Sequence, residues 1–376
     1  MRILHLTDTG LPDWRLEKSA ASGSRAGHKI FFGGGTSKYS STNFSEIHKV
    51  IWTAGARRGI PFYWNSVRKQ VKNAITTTNP DIIHAHNIFS AKMVSEFDIP
   101  FVYDDYEYWS RHARVIAEAE FREDDGGTLA TTIRKIKRRL LTGRSIKLWK
   151  KWEEEIVSHH PTITVSQKIA EGHRLTSRGN SKIFVVPNYP LLSEVKDVSN
   201  PESHENLSSV YAGSDGNATQ RYKNRNLDGL FDLFHKSSDI GRLEVIGWAQ
   251  EQDSNVKFRG YLPRKQMFSE MSHNSIGLIP FKKHWSHAYL NPNKAYEYAH
   301  AGLFVLCTSS LETIISTLKE NCMVFDNYDD LASKLRFFRH TLPDLYERRR
   351  RIFDFARKNL IWENEEKHIF DAYQLA

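Results

Sequence analysis

Ile276-Gly277-Leu278-Ile279-Pro280-Phe281, then Leu290-Asn291-Pro292-Asn293-Lys294-Ala295-Tyr296-Glu297-Tyr298-Ala299-His300-Ala301-Gly302, then Leu303-Phe304-Val305-Leu306, is the stretch that decides the fold. Two short apolar runs without polar alternation suit strands buried on both faces, and the stretch between them has the length and caps of a crossover helix. Asn291 can N-cap that helix, Pro292 fits its first position and Gly302 suits its C-terminal stop. A strand, a helix and a second strand in this order form the unit from which parallel sheets are built.

The same alternation runs outward along nearly the whole chain, so the fold class is α/β. Upstream, the patterning predicts strands at Ile3–Leu6, Lys29–Phe32, Lys49–Trp52, Asp81–His84, Pro100–Tyr103, Thr162–Val165 and Lys182–Val186, with helices such as Asn65–Thr76 and Gln167–Thr176. A polar stretch with Pro201 and no periodicity follows Pro190 and reads as a linker, residues 191–206. A second series then begins, with strands at Ser209–Ala212, Arg242–Ile246, Val256–Arg259, Ile276–Ile279, Leu303–Leu306 and Met323–Phe325. The expectation is two Rossmann-like parallel-sheet domains, 1–190 and 207–355, facing a central cleft that is lined by loops at the carboxyl ends of strands.

A chain of 376 residues with 40% hydrophobic residues supports two cores. Its N-terminal apolar run is too short for a signal peptide, and no stretch reaches the roughly 18 apolar residues of a membrane span. The only cysteines are Cys307, which ends an apolar run and reads as buried and inert, and Cys322, so a reduced, cytoplasmic protein is expected. Net charge is +9 and is local: nine Lys or Arg and no acid lie between Arg134 and Lys151. In that segment and just beyond it, Ile133, Ile136 and Leu140, and again Trp149, Trp152 and Ile156, recur at helical spacing. An amphipathic basic helix on an anionic membrane surface and a solvated helix packed by its apolar stripe both fit, whereas no nucleic-acid-binding module accompanies the charge. The Arg348–Arg351 run reads as a solvated helix face.

Several residues could carry chemistry. Lys294 and Glu297 share a face near a helix N-terminus, where they could hold a phosphate and a sugar hydroxyl or simply pair with each other. Gly213-Ser214-Asp215-Gly216 follows a strand and leads through Arg221, Lys223 and Arg225 to a helix that Asn226 can cap, with Leu227, Leu230, Phe231 and Phe234 on its buried face. This is a candidate pyrophosphate cradle or a solvated loop with scattered cations. His84 and His86 flank Ala85 and are expected on opposite sides of their strand, with His86 toward the cleft. Asp104 and Glu107 at the next strand end could accept a hydroxyl's proton. Thr9 and Gly10, like Gly33–Gly35, follow strands and are expected to line the cleft. No Gly-x-Gly-x-x-Gly occurs, which argues against a nicotinamide or flavin enzyme, and the histidines look scattered, so no metal is expected.

Gly277–Phe281, Pro-Asn-Lys-x-x-Glu-Tyr at Pro292–Tyr298 and Ala301-Gly302 before an apolar strand resemble the donor half of glycosyltransferase family 4, which has the GT-B fold. Asn79-Pro80-Asp81-Ile82-Ile83-His84-Ala85-His86, Thr164-Val165-Ser166 and Val186-Pro187-Asn188 are similar to other strand ends of that family. The resemblance implies a retaining transfer from a nucleotide diphosphate sugar to a glycan or polyprenyl-linked acceptor, and the basic segment allows an inner-membrane-face location beside the cytoplasmic one. It further implies that Glu297 holds the ribose. Lys294, Asn293, Arg225, Lys223, Gly213, Ser214 and Pro280 then belong to the donor site, His86 contacts the transferred sugar, and the last segment, 356–376, crosses back to the first domain. A second glutamate common in the family, eight positions before Glu297, is Tyr289 here, and the usual histidine of Asp-x-His-Glu is Tyr106. The shared architecture leaves a nucleotide-sugar epimerase as one alternative, and the two departures leave a non-catalytic sugar-nucleotide-binding protein as another.

Overall fold

The computed structural model describes residues 1–35, 41–53, 60–119, 129–177, 179, 181–213, 222–250 and 254–376, with the backbone alone at 119 and 129–142. The chain divides into two compact units, Met1–Pro187 with Glu365–Ala376, and Asn188–Asn364.

Unit 1 holds a seven-stranded sheet in the order β3-β2-β1-β4-β5-β6-β7, all neighbours parallel. Its strands are β1 Arg2–Thr7, β2 Lys29–Gly34, β3 Glu46–Lys49, β4 Ile82–His86, β5 Phe101–Asp105, β6 Thr162–Thr164 and β7 Ile183–Val185. Unit 2 holds a six-stranded parallel sheet in the order β10-β9-β8-β11-β12-β13. Its strands are β8 Ser208–Ala212, β9 Arg242–Ile246, β10 Val256–Phe258, β11 Ile276–Ile279, β12 Phe304–Thr308 and β13 Cys322–Phe325. Strands buried on both faces are the reason the sequence shows apolar runs rather than alternation. In each sheet the strand order reverses once, between β1 and β4 and between β8 and β11, and loops at such a reversal open a crevice at the carboxyl ends.

Among the described residues no helix is long and apolar enough to cross a membrane. Trp149, Trp152 and Ile156 lie in the core of unit 1 with Trp64 and Phe89. Arg144, Lys147, Lys150 and Lys151 are exposed on the same Leu129–His159 helix. The tryptophan stripe therefore packs inward, and a membrane would meet only the cations of this part of the helix.

Several boundaries differ from the sequence reading. Strand β3 ends at Lys49 because the chain then leaves the sheet and tucks Trp52 under it, Nε1 donating to the Thr7 carbonyl at 3.1 Å. Residues 191–206 are part of unit 2 and begin with the Leu192–Val195 helix. A boundary at 355/356 would cut the continuous Leu342–Asn359 helix. The return to unit 1 begins at Glu365, with Ile369 and Tyr373 buried on the Lys367–Gln374 helix. Arg349 is 1% exposed rather than solvated; it donates to the Gly302 carbonyl at 2.8 Å and the Glu202 carbonyl at 2.6 Å, and burial lowers its pKa to about 10.

Candidate functional site

In unit 2 the sequence-nominated residues gather where β8 and β11 end. The helix runs Asn293–His300 and stops at Gly302, whose φ of +69° needs a residue without Cβ. Its start differs from expectation: Pro292 is the extended N-cap residue, and Asn291 instead accepts from the Tyr296 hydroxyl. Tyr298 on the same helix ties the strand ends together, taking the Ala212 amide at 2.8 Å and donating to the Leu278 carbonyl at 3.2 Å.

Lys294 lies one turn earlier. Its ammonium sits 4.0 Å from the Tyr211 ring centre and 5.1 Å from that of Phe281. A Cβ on Gly213 would stand 3.0 Å from this Nζ and 2.6 Å from the Tyr211 hydroxyl, so only glycine leaves the space open. The Gly213 amide is spent on the Ile246 carbonyl at 3.0 Å, so the residue offers room rather than a donor. Burial, and then the neighbouring Arg225 charge, pull the Lys294 pKa down to about 7, while Glu297 acts the other way. A cation desolvated against rings and beside a second cation gains most when an anion arrives.

Arg225 and Lys223 belong to a 3-10 turn, Lys223–Arg225. His287 holds that turn, with Nε2 on the Asn224 carbonyl at 2.8 Å and Nδ1 on Ser310 at 2.7 Å, and burial keeps it neutral with a pKa of about 4. Asn226 does not cap the next helix, which starts after Gly229; its Oδ1 accepts from the Asp228 amide at 2.7 Å. Ser214 and Arg221 lie outside the described residues. Pro280 is buried, and its carbonyl accepts from Tyr328 at 2.9 Å, so it shapes the turn and offers no ring to a ligand. Glu297 is paired with Arg264 rather than with Lys294.

In unit 1 the structure corrects the histidine reading. Residues i and i+2 of a strand share a face, and His84 and His86 stack with centroids 4.2 Å apart. His5 from β1 joins them, its Nδ1 2.9 Å from His86 Nε2. Asp104 lies beside both, 3.4 Å from His84 Nε2 and His86 Nδ1, and Arg15 grips it with Nε at 2.8 Å and Nη2 at 2.8 Å. Tyr373 closes the far side on His84 Nδ1 at 2.8 Å. Burial alone would raise the Asp104 pKa, but Arg15 and the two imidazoles hold it well below the usual carboxylate range. Burial and the neighbouring His84 push His86 down to about 3.

Asp104 and His86 are thus buried, at 0% and 1% exposure, within a network whose partners Arg15, His5, His84 and Tyr373 all belong to unit 1. His5, His84 and His86 bring one ring nitrogen each within 4.8 Å of one another, and His5 Nδ1 and His86 Nε2 are hydrogen-bonded. Glu107 pairs with His112 at 3.4 Å.

The opposite face of β5 carries a second cluster that sequence spacing did not suggest: Asp105, Glu153 and His173. His173 Nε2 meets Asp105 Oδ2 at 2.6 Å, a direct hydrogen bond where a metal would have to stand between them. Burial and then Asp105 raise the Glu153 pKa to about 8, and Asp105 raises that of His173 against the effect of its burial. Both groups keep in the folded chain protons that the unfolded chain would release. Stability therefore falls as pH climbs from about 4.5 to 8. Replacing Glu153 by Gln removes one of the two terms, so the melting temperature of E153Q should gain on that of the wild type between pH 5 and 8.5. Parallel curves would contradict this.

The loops of the unit 1 reversal are Thr7–Gly10 and His86-Asn87. Asn87 has φ +78° and ψ 167°, a conformation costly for a side-chain-bearing residue and typical of functional strand ends. Its Oδ1 caps the next helix and its Nδ2 donates to Asp8 at 2.5 Å. Thr9 is exposed, and the Gly35 amide donates to its carbonyl at 2.7 Å.

No family model matches the chain, and no curated protein matches it in sequence. Solved structures do match in three dimensions. The sucrose-phosphate synthase of Thermosynechococcus elongatus aligns over 100% of this chain and 98% of its own, with a TM-score of 0.68 and 12% identity. HepE of Anabaena in complex with UDP and glucose aligns over 100% of both chains, with a TM-score of 0.69 and 12% identity. WaaG, a glycosyltransferase involved in lipopolysaccharide biosynthesis, aligns over 100% and 99%, with a TM-score of 0.63 and 14% identity. These similarities establish the GT-B fold for this chain.

Proposed function

We propose that the chain transfers a sugar from a nucleoside diphosphate sugar to a hydroxyl of a glycan or lipid-linked acceptor. The observation that carries this reading is the Lys294 ammonium, held against Tyr211 beside the space that Gly213 leaves, with Arg225 next to it and Glu297 one turn on. Two cations suit a diphosphate, and a carboxylate suits the ribose hydroxyls. Structural neighbours bind such donors: HepE is in complex with UDP-glucose, and an alpha-glucosyltransferase is in complex with UDP-glucose and DNA containing an abasic site.

Lys294 and Arg225, with Lys223 at the rim, neutralise the diphosphate as it leaves, which is where protein charge contributes most to such a reaction. Asn293 belongs to the first helical turn, whose amides favour anions. Thr9 and Gly10 are proposed acceptor contacts. Retention of configuration follows from the family resemblance. Because side-chain cations carry the phosphate charge, no metal is required, and transfer should persist in EDTA.

The test is a thermal-shift and titration screen of UDP, GDP, ADP, CDP and their sugars, since a ligand that binds the native state raises its stability. The free-state Lys294 titrates near pH 7, so above that pH an arriving diphosphate must bring a proton with it. Affinity should therefore fall as pH rises from 7 to 9, by up to about tenfold per unit. K294R keeps its charge and should show a flat profile; a wild-type affinity independent of pH would count against this role for Lys294.

A further inference from the structure

Arg264 stands between two carboxylates of unit 2. Its Nε donates to Glu194 at 2.6 Å, and its Nη1 bonds Glu297. The three residues come from separate elements, the Leu192–Val195 turn and the Arg264–Ser272 and Asn293–His300 helices. Glu194 is itself fixed, its second oxygen accepting from the Leu191 amide at 2.8 Å. The side chains of Arg264, Glu194 and Glu297 are 21%, 15% and 9% exposed, so screening by water is weak. A guanidinium whose Nε edge is anchored can present Nη1 in only one direction, and it therefore sets the plane of the carboxylate it holds. Only the Oε1 oxygen of Glu297 is engaged by Arg264.

We propose that Arg264, anchored by Glu194, is a positioning residue that aims Glu297 at the ribose hydroxyls of the donor and so sets the site's preference for ribonucleotides over deoxyribonucleotides. This rests on the donor reading above. A carboxylate held in one plane meets a cis-diol without first losing rotamer freedom, whereas a carboxylate free to turn discriminates less. Lysine at position 264 would keep the charge but not the fork, so charge and direction can be separated.

The experiment is calorimetric titration of the full chain with UDP, 2′-deoxy-UDP and 3′-deoxy-UDP, or with the corresponding set for whichever nucleoside diphosphate binds. The wild type should favour the ribonucleotide about tenfold or more. In R264M and E194A that ratio should collapse toward one, while deoxynucleotide affinity, which depends on Lys294 and Arg225, stays near the wild-type value. R264K should fall between, and because it retains a counter-ion for both carboxylates it serves if R264M does not fold. An unchanged ratio in folded R264K and E194A, or an equal loss for ribo- and deoxynucleotides, would overturn the proposal and leave the donor reading standing. Failure of the wild type to bind any nucleoside diphosphate would remove the donor reading, and this proposal with it.

Discussion

Replacing Arg15 by methionine is expected to destabilise unit 1 by about 3–5 kcal/mol, the penalty for leaving a buried carboxylate without its partner. Asp104 is fully buried; its charge is compensated by the Arg15 fork, and the nearby His5 and His86 are held neutral. Arg15 also donates to the Val186 carbonyl at 2.9 Å, so the substitution frees a second buried acceptor. For a domain of this size, a loss of that order lowers the melting temperature by roughly 6–20 °C. The double variant R15M/D104N removes the charge with the partner and should recover much of the loss. Full-length melting curves decide it: if R15M melts like the wild type, Asp104 is not the buried anion described above.

Replacing Glu297 by alanine should weaken nucleoside diphosphate binding by about 10²-fold or more, since each hydrogen bond to a charged group contributes about 1.5–3 kcal/mol and two hydroxyls are addressed. Lys294→Met should have an effect of similar size for a different reason, the loss of the cation that meets the phosphate. The two can be told apart. Glu297→Ala should affect ribonucleotides and spare inorganic pyrophosphate, whereas Lys294→Met should weaken both. Neither loss of binding should reflect unfolding: Arg264 keeps Glu194 when Glu297 is removed, and K294M removes a charge that burial penalises, so it should melt no lower than the wild type.

The alternation of strands and helices was legible because it repeats, and each parallel strand announces itself as an apolar run whose neighbours are interchangeable. Helix starts were less legible. Asn226 and Asn291 both look like N-caps, and each uses its side chain elsewhere, on Asp228 and Tyr296, because a short polar side chain finds several local partners of equal quality. His84 and His86 illustrate a different limit. They are expected on opposite sides, but the two-residue period of a strand puts them on one face, and what that face does is set by His5, Asp104 and Arg15 from other elements.

The same holds at the donor site. Lys294, Glu297 and Gly213 stand out locally through a helix start and a strand end. Arg264, His287 and Tyr298 do not, since their roles depend on partners 33, 63 and 86 residues away. The spacing of Lys294 and Glu297 on one helix face suggested an ion pair between them, but Arg264 takes the carboxylate and leaves the lysine over aromatic rings.

The claim that the ends of β8 and β11 hold a nucleoside diphosphate sugar is tested most directly by incubating the full chain with a panel of UDP-, GDP-, ADP-, CDP- and dTDP-sugars and measuring release of the nucleoside diphosphate. Release is expected from the wild type, with or without EDTA, for at least one donor. In E297A and K294M it should fall by about two orders of magnitude, in parallel with loss of nucleotide binding. Release that persists unchanged in both variants, or a wild-type chain that neither binds nor turns over any of the donors, would contradict the account.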